Sequence, residues 1–541
     1  MPITIRSCNR NLANMNNLVS FFSRRASNLF CLLALVAVSG PVFAQHSGVK
    51  QVCENGSVDG FSCSNVDLLA RMTLSELTSK RDPFGNPSVT FSLNDIWGWT
   101  HEESGREFLV VGRTDGTAFV EVTDPLNPML LGEMASTQGE KSSWRDMKVY
   151  ADHAYIVADS QSGHGMQVFD LTRLLSVTDP VEFTSDNVYT GVSSVHNIVI
   201  NEDTGFAFAV GSRSGGTTCG GGLHMIDLAE PANPVFAGCF SEPGTGRSGT
   251  GYTHDAHCIA YAGPDDDWSG REICVGSNEN AVVVSDVTDK SAPLTVSVGR
   301  YPATEYTHQG WMTEDHRYYF QGDELDEARG AVGQTRTLVW DLEDLDEPMM
   351  VAEFFANRTT IDHNMYVVGN RLFQSQYVDG LRVLDITDPT APVEVGFFDT
   401  LPQTNVSVWV GSWSNYPFLS NGVVAITDRY NGLFLVQPQA SSSTAVEGAE
   451  LPNSVASLDI FPNPFRDRGT IELVLDRSEH VRIDVFDVLG RRVAQLYDGL
   501  VTATTPVAIP MDSLPEAVNG SIFIRITGDS FDMTRQVLRA R

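Results

Sequence analysis

One short pattern is repeated along the chain, and it limits what the chain can fold into. Its fullest form fills residues 380–398: an alternating strand ending on Asp385, a turn carrying Asp388-Pro389, then a second strand opening after Pro392. Further copies begin at Gly116, Gly165, Gly222, Ala281 and Thr337, and a truncated one, GLFLVQP, fills residues 432–438. Seven copies at spacings of about 40 to 60 residues signal stacked supersecondary units rather than one irregular core.

Each copy is preceded by two further strand-like stretches, for example those opening at Asp146 and Ala154, or at His363 and Arg371. Two strands upstream and two in the repeat make four antiparallel strands per unit. The expected fold is all-β, a seven-bladed β-propeller over residues 45–438. A β-solenoid is the competing reading, but its repeats are shorter and need no circular completion. The seventh copy stops at Pro438 and lacks a last strand, whereas residues 66–74 read like the strand that follows each proline turn. That N-terminal segment is expected to complete the last unit, leaving no open edge.

Composition narrows the function classes. With 42% hydrophobic and 19% charged residues the chain is globular. A net charge of −32 argues against nucleic acid and anionic membranes as partners. Arg24 and Arg25, the apolar run 29–38 and Val42-Phe43-Ala44 read as a signal peptide over residues 1–44. No other run suggests a transmembrane span, so the mature chain is expected to be exported. Outside that segment the cysteines are Cys53, Cys63, Cys219, Cys239, Cys258 and Cys274. An even set in an exported chain favours disulfides, with sequence neighbours the economical pairing; a metal-thiolate site is the alternative, although no C-x-x-C knuckle is present. Residues 439–456 read as a flexible linker, and 457–541 as a small immunoglobulin-like β-sandwich.

This last segment resembles the type A sorting domain of the type IX secretion system. The matching residues are Phe461-Pro-Asn-Pro-Phe465, Val485-Phe-Asp-Val-Leu-Gly-Arg491 and the closing strand after Met533. Phe461 stands where the family usually has Tyr, and Gly520-Ser-Ile-Phe523 where it has a Gly-x-Tyr strand. The resemblance implies export to the cell surface or beyond, with the type IX machinery as partner. Residues 50–438 resemble the choice-of-anchor B family, built of LVIVD-type repeats. Among the stretches that carry this are Asp255-Ala-His-Cys258, His308-Gln-Gly-Trp-Met-Thr-Glu-Asp315, Gly322-Asp-Glu-Leu-Asp-Glu327 and Asp362-His-Asn364. That family delivers no established activity.

The candidate chemistry lies in one column. Aligning the first strand of each unit stacks Asp95, Asp146, His196, His257, His308 and His363, with Trp413 in the seventh and His254 as a further candidate. First strands line a propeller's channel, so one residue per blade makes a ring. Imidazoles and carboxylates facing one axis suit one divalent metal ion. The competing reading is that the ring only pins blade to blade by hydrogen bonds. The acidic run with Asp323, Glu324, Asp326 and Glu327 is either a solvated loop or a cation or ligand site, with Ca²⁺ the natural occupant of oxygen donors. The Asp that closes each repeat strand is a turn former. No catalytic signature such as G-x-S-x-G, a P-loop or H-E-x-x-H occurs. The chain is therefore expected to be an exported binding module with an unidentified extracellular ligand. The alternative is a metal-dependent hydrolase or lactonase-like enzyme using the His/Asp ring.

Overall fold

The computed structural model describes residues 48–402, 406–439, 455–461, 469–486, 491–505, 507–511, 514, 520–528 and 532–539. The signal segment 1–44, most of the linker, and residues 462–465 and 487–490 of the sorting motifs lie outside the described residues.

Most repeats supply the third and fourth strands of an antiparallel sheet, and the stretches upstream supply the first and second. The third sheet runs Asn197–Asn201, Phe206–Val210, Leu223–Asp227, Val235–Phe240. The fourth runs Asp255–Ala260, Glu272–Ser277, Val282–Asp286, Leu294–Gly299, and the fifth Thr307–Met312, Tyr318–Asp323, Arg336–Asp341, Met349–Phe355. The first sheet opens with Leu93–His101, the second with Arg145–Tyr150, the sixth with Met365–Val368 and the seventh with Ser412–Tyr416. First strands of consecutive sheets pack side by side, and that of the seventh packs on that of the first. The seventh sheet is completed from the far end of the chain, where Val66–Met72 pairs antiparallel with Gly432–Pro438. Among the described residues this is an all-β arrangement of many sheets whose first strands close into a ring.

Burial explains the composition of the strands. Middle strands are covered on both faces by neighbouring sheets, so Val282–Asp286 opens on three valines and is buried throughout. Outer strands have one wet face, so Met349–Phe355 alternates between exposed and half-buried residues. The turn between third and fourth strands is made by the closing Asp. Asp170, Asp227, Asp286, Asp341 and Asp385 each accept the backbone N–H two residues on, at 2.8–2.9 Å.

The second repeat departs from the expected pattern. After Asp170 a 3₁₀ turn, Leu171–Ser176, buries Leu171 and Leu174. The strand beyond its proline, Val181–Phe183, then leaves its own sheet and pairs parallel with Met129–Ala135 of the first. Asn187–Tyr189 takes the vacated fourth position. Phe183 packs edge-on against Phe119 and Phe169, which anchors the displaced strand.

Three disulfides join sequence neighbours: Cys53–Cys63, Cys219–Cys239 and Cys258–Cys274. The last links residues directly opposite one another on the first two strands of the fourth sheet. In the C-terminal segment, a three-stranded sheet and a four-stranded one share one apolar core that includes Ile471, Leu473, Ile483 and Ile524. No helix among the described residues is long and apolar enough to cross a membrane.

Candidate functional site

The starts of the first strands form two stacked layers around the axis of the ring. The deeper one holds Asp95, Asp146, Asn197, Asp255, Gln309, Asn364 and Ser414. It acts by stitching one sheet to the next. Asp146 Oδ2 accepts the Ile198 N–H at 2.8 Å, and Asn364 Nδ2 donates to Asp95 Oδ2 at 3.1 Å. Gln309 both donates to the Met365 carbonyl and accepts its N–H, each at 2.9 Å. Lys148 sits 2.8 Å from Asp146. Burial pulls its pKa down, but Asp146, Asp95 and Asp255 outweigh this and hold the ammonium charged. Burial, then repulsion from Asp146, raises Asp95 to about 7.

One residue earlier in each strand lies the layer at the mouth, with His196, His254, His308, His363 and Trp413 in succession. The imidazoles touch in sequence, with ring centroids 4.3, 4.2 and 4.6 Å apart. Most are held through Nδ1. His196 Nδ1 bonds Asp159 at 3.0 Å, His254 Nδ1 the His308 carbonyl at 2.9 Å, and His363 Nδ1 the Trp413 carbonyl at 2.5 Å. His308 is buried with Nδ1 unpartnered. Where Nδ1 is the donor, Nε2 keeps its lone pair, the arrangement found behind metal-ligating histidines. Burial, then the neighbouring rings, holds His254 and His308 well below the usual imidazole range. Burial also brings His363 to about 3. These rings are neutral bases at neutral pH.

The loop after Tyr318–Asp323 closes over this layer. Glu324 Oε2 lies 3.8 Å from His308 Nε2, and its Oε1 lies 3.9 Å from His363 Nε2. The Tyr377 hydroxyl donates to Glu324 at 2.8 Å. Burial pushes that carboxyl up to about 6. One ligand atom each from His308, Glu324 and His363 falls within 4.8 Å of the others. Above them a cavity of about 220 Å³ is lined by Asp159, Arg213, Tyr252, Tyr306 and the four imidazoles, among others. Two or three imidazoles with one carboxylate suit a first-row transition ion better than Ca²⁺ or Mg²⁺.

The structure brings together His196, His308 and His363 of the expected column and separates the rest. Asp95 and Asp146 lie one layer deeper, engaged in the stitching bonds. His257 is two residues past the Asp255 layer and faces the other end of the ring. There it stacks on Trp311 at 3.9 Å and lines a basin of about 1060 Å³ with Trp97, Tyr366 and Phe418. His254 occupies the mouth layer of the fourth sheet instead. The acidic run is not a solvated loop: Asp323, Asp326 and Glu327 are buried. Asp323 accepts the Tyr301 hydroxyl and the N–H groups of Glu305 and Tyr306, and so shapes the loop that presents Tyr306. Tyr252, Tyr306 and Arg213 were not expected from sequence. Two of them carry a signal, because Tyr252-Thr-His254 and Tyr306-Thr-His308 are the same triplet.

Comparison with known proteins gives two matches to family models. Residues 459–538 match the secretion system C-terminal sorting domain, and residues 366–400 match the LVIVD repeat. No curated protein matches the chain. Among solved structures, the chain is similar to PorZ, described as an essential bacterial surface component of the type IX secretion system of Porphyromonas gingivalis. The identity is 12%, with 81% of this chain and 58% of PorZ covered, at a TM-score of 0.40. The chain thus spans under two thirds of PorZ. A protein from Lactobacillus plantarum follows at 11% identity, covering 78% of this chain and 100% of that one, at 0.40. The C-terminal WD40 domain of Sif2 matches at 10%, covering 70% and 91%, also at 0.40. The sorting domain makes this a secreted, cell-surface protein whose tail engages the type IX machinery.

Proposed function

We propose that the protein is a surface-delivered binding module. In this reading residues 45–438 are a closed seven-bladed β-propeller of the choice-of-anchor B kind. Residues 457–541 are then an immunoglobulin-like sorting domain. The propeller takes its ligand at the channel mouth through a transition-metal ion. His308, His363 and Glu324 would hold the ion, flanked by His196 and His254. The observation that carries this is the row of touching imidazoles, three of them anchored through Nδ1, that faces a carboxylate under a cavity. When bound, such an ion supplies a Lewis acid for an oxygen or nitrogen donor of the ligand. Arg213, stacked over Tyr252 at 4.4 Å, adds a cation at the rim for an anionic group.

A metal-dependent hydrolase is the second reading. It is favoured by the same Arg213, which lines the cavity together with the imidazoles and suits a developing oxyanion. Elemental analysis of the full-length protein beside a His308→Ala/His363→Ala variant tests the metal. The expected result is one tightly held transition ion per chain, absent from a variant that still folds. No metal in the parent, with a variant that melts much earlier, would leave the ring a structural seam and overturn the proposal. Turnover on a panel of esters and lactones, lost in the same variant, would select the hydrolase over the binding module.

A further inference from the structure

Beside the mouth, and independent of the imidazole layer, three carboxylates converge where water does not reach. Asp326 and Glu327 sit on the single helical turn Asp326–Arg329, and Asp362 precedes the first strand of the sixth sheet. They are 0%, 8% and 1% exposed. One oxygen from each lies within 4.8 Å of the others.

The protein satisfies only the outer halves of this group. Arg336 Nε donates to Asp326 Oδ2 at 2.9 Å, and the Arg336 backbone N–H donates to Glu327 Oε1 at 2.9 Å. The inner oxygens, Asp326 Oδ1 and Glu327 Oε2, have no partner, and neither oxygen of Asp362 has one. Four unpartnered carboxylate oxygens in one buried place are costly, because each loses its water without replacement. The Arg336 guanidinium is also engaged by Glu353 at 3.0 Å, so the negative charge is undercompensated. Burial, then the neighbouring carboxylates, pushes Glu327 and Asp362 well upward. Space for Asp362 is kept by Gly322, where a Cβ would overlap Asp362 Oδ2.

We infer that Asp326, Glu327 and Asp362 form a calcium site that ties the loop after the second strand of the fifth sheet to the start of the sixth. All the converging donors are oxygens, which selects a hard cation over the transition ions that imidazoles prefer. Three anionic groups from two chain segments in a closed site suit Ca²⁺, which accepts irregular coordination, over Mg²⁺, which keeps an octahedral shell rich in water. Glu324 lies two residues before Asp326, so filling this site fixes the loop that carries it.

The test uses the full-length protein stripped with a chelator, then titrated with Ca²⁺ or Mg²⁺ alone while heat release and melting temperature are followed. The expected result is one Ca²⁺ per chain and a rise of about 2–5 °C at saturation, with a smaller Mg²⁺ response. Asp362→Asn removes the charge and replaces one of the four unpartnered oxygens with an amide that can donate to the others. In chelator it should melt at least as high as the parent and no longer respond to Ca²⁺. Should it fail to fold, Glu327→Gln serves in its place with the same expectation. No Ca²⁺ response in the parent would overturn the site in favour of carboxyls that share protons. A Ca²⁺ response that survives both substitutions would also overturn it, as would Mg²⁺ matching Ca²⁺.

Discussion

At the mouth, each imidazole that uses Nδ1 to bond the protein keeps its Nε2 available, so positioning and ligation are not alternatives for these residues. The deeper Asp95 and Asp146 are different, because one oxygen of each is committed to a neighbouring sheet and the other to the next N–H of its own strand. That distinction was only partly legible in the sequence. The column of His and Asp was visible, yet its register was not, because strand starts are bulged. The pairing register shifts between Leu93 and Ile96, between Thr307 and Gly310, and between Ser412 and Ser414. Counting back from the apolar run therefore misplaces residues in those sheets. The fourth sheet has no such shift, and there the mouth layer falls on His254, just ahead of the first strand, rather than on His257. The repeated Tyr-Thr-His triplet was the safer anchor. One substitution separates the positions. His257→Ala should lose about 1–3 kcal/mol of stability with its stack on Trp311, yet leave metal content unchanged. Elemental analysis and thermal melts read both quantities, and metal lost with His257 would refute the register.

Strand pairs and the Asp turn between them were readable from the repeat alone, because period-two burial and an Asx turn are local. The displaced strand Val181–Phe183 was not readable. Its partner lies in another sheet, and the choice rests on packing of Phe183 against Phe119 and Phe169. Gly132 permits that pairing, since a Cβ there would overlap the Val181 carbonyl oxygen. Gly132→Ala should therefore cost about 1–3 kcal/mol, more than the few tenths typical of surface changes. Hydrogen exchange should show the loss concentrated in residues 181–183 and 129–135. Uniform, unchanged protection there would contradict the role given to Gly132.

At the scale of the molecule, the ring is held shut by a strand from the other end of the chain. Removing residues 1–74 should expose Gly432–Pro438 as an edge and give aggregation visible by light scattering. A monodisperse, equally stable truncation would speak against that closure. Acid should weaken the ring too. His164 is brought to about 4 by burial and by Arg145, and His257 to about 3 by burial and by His316. The unfolded chain takes up these protons below about 6.5, whereas the fold refuses them until pH nears those lower values. Stability is thus full above about 6.5 and falls on acidification by up to about 1.4 kcal/mol per pH unit for each such ring. His257→Gln should flatten the slope by one proton. The metal proposed for the mouth layer is tested directly by diffraction from crystals soaked in Zn²⁺, recorded across the zinc edge. One anomalous peak bonded to Nε2 of His308 and His363 and to Glu324 is expected. Peaks only at surface residues, with those imidazoles unmoved, would contradict it.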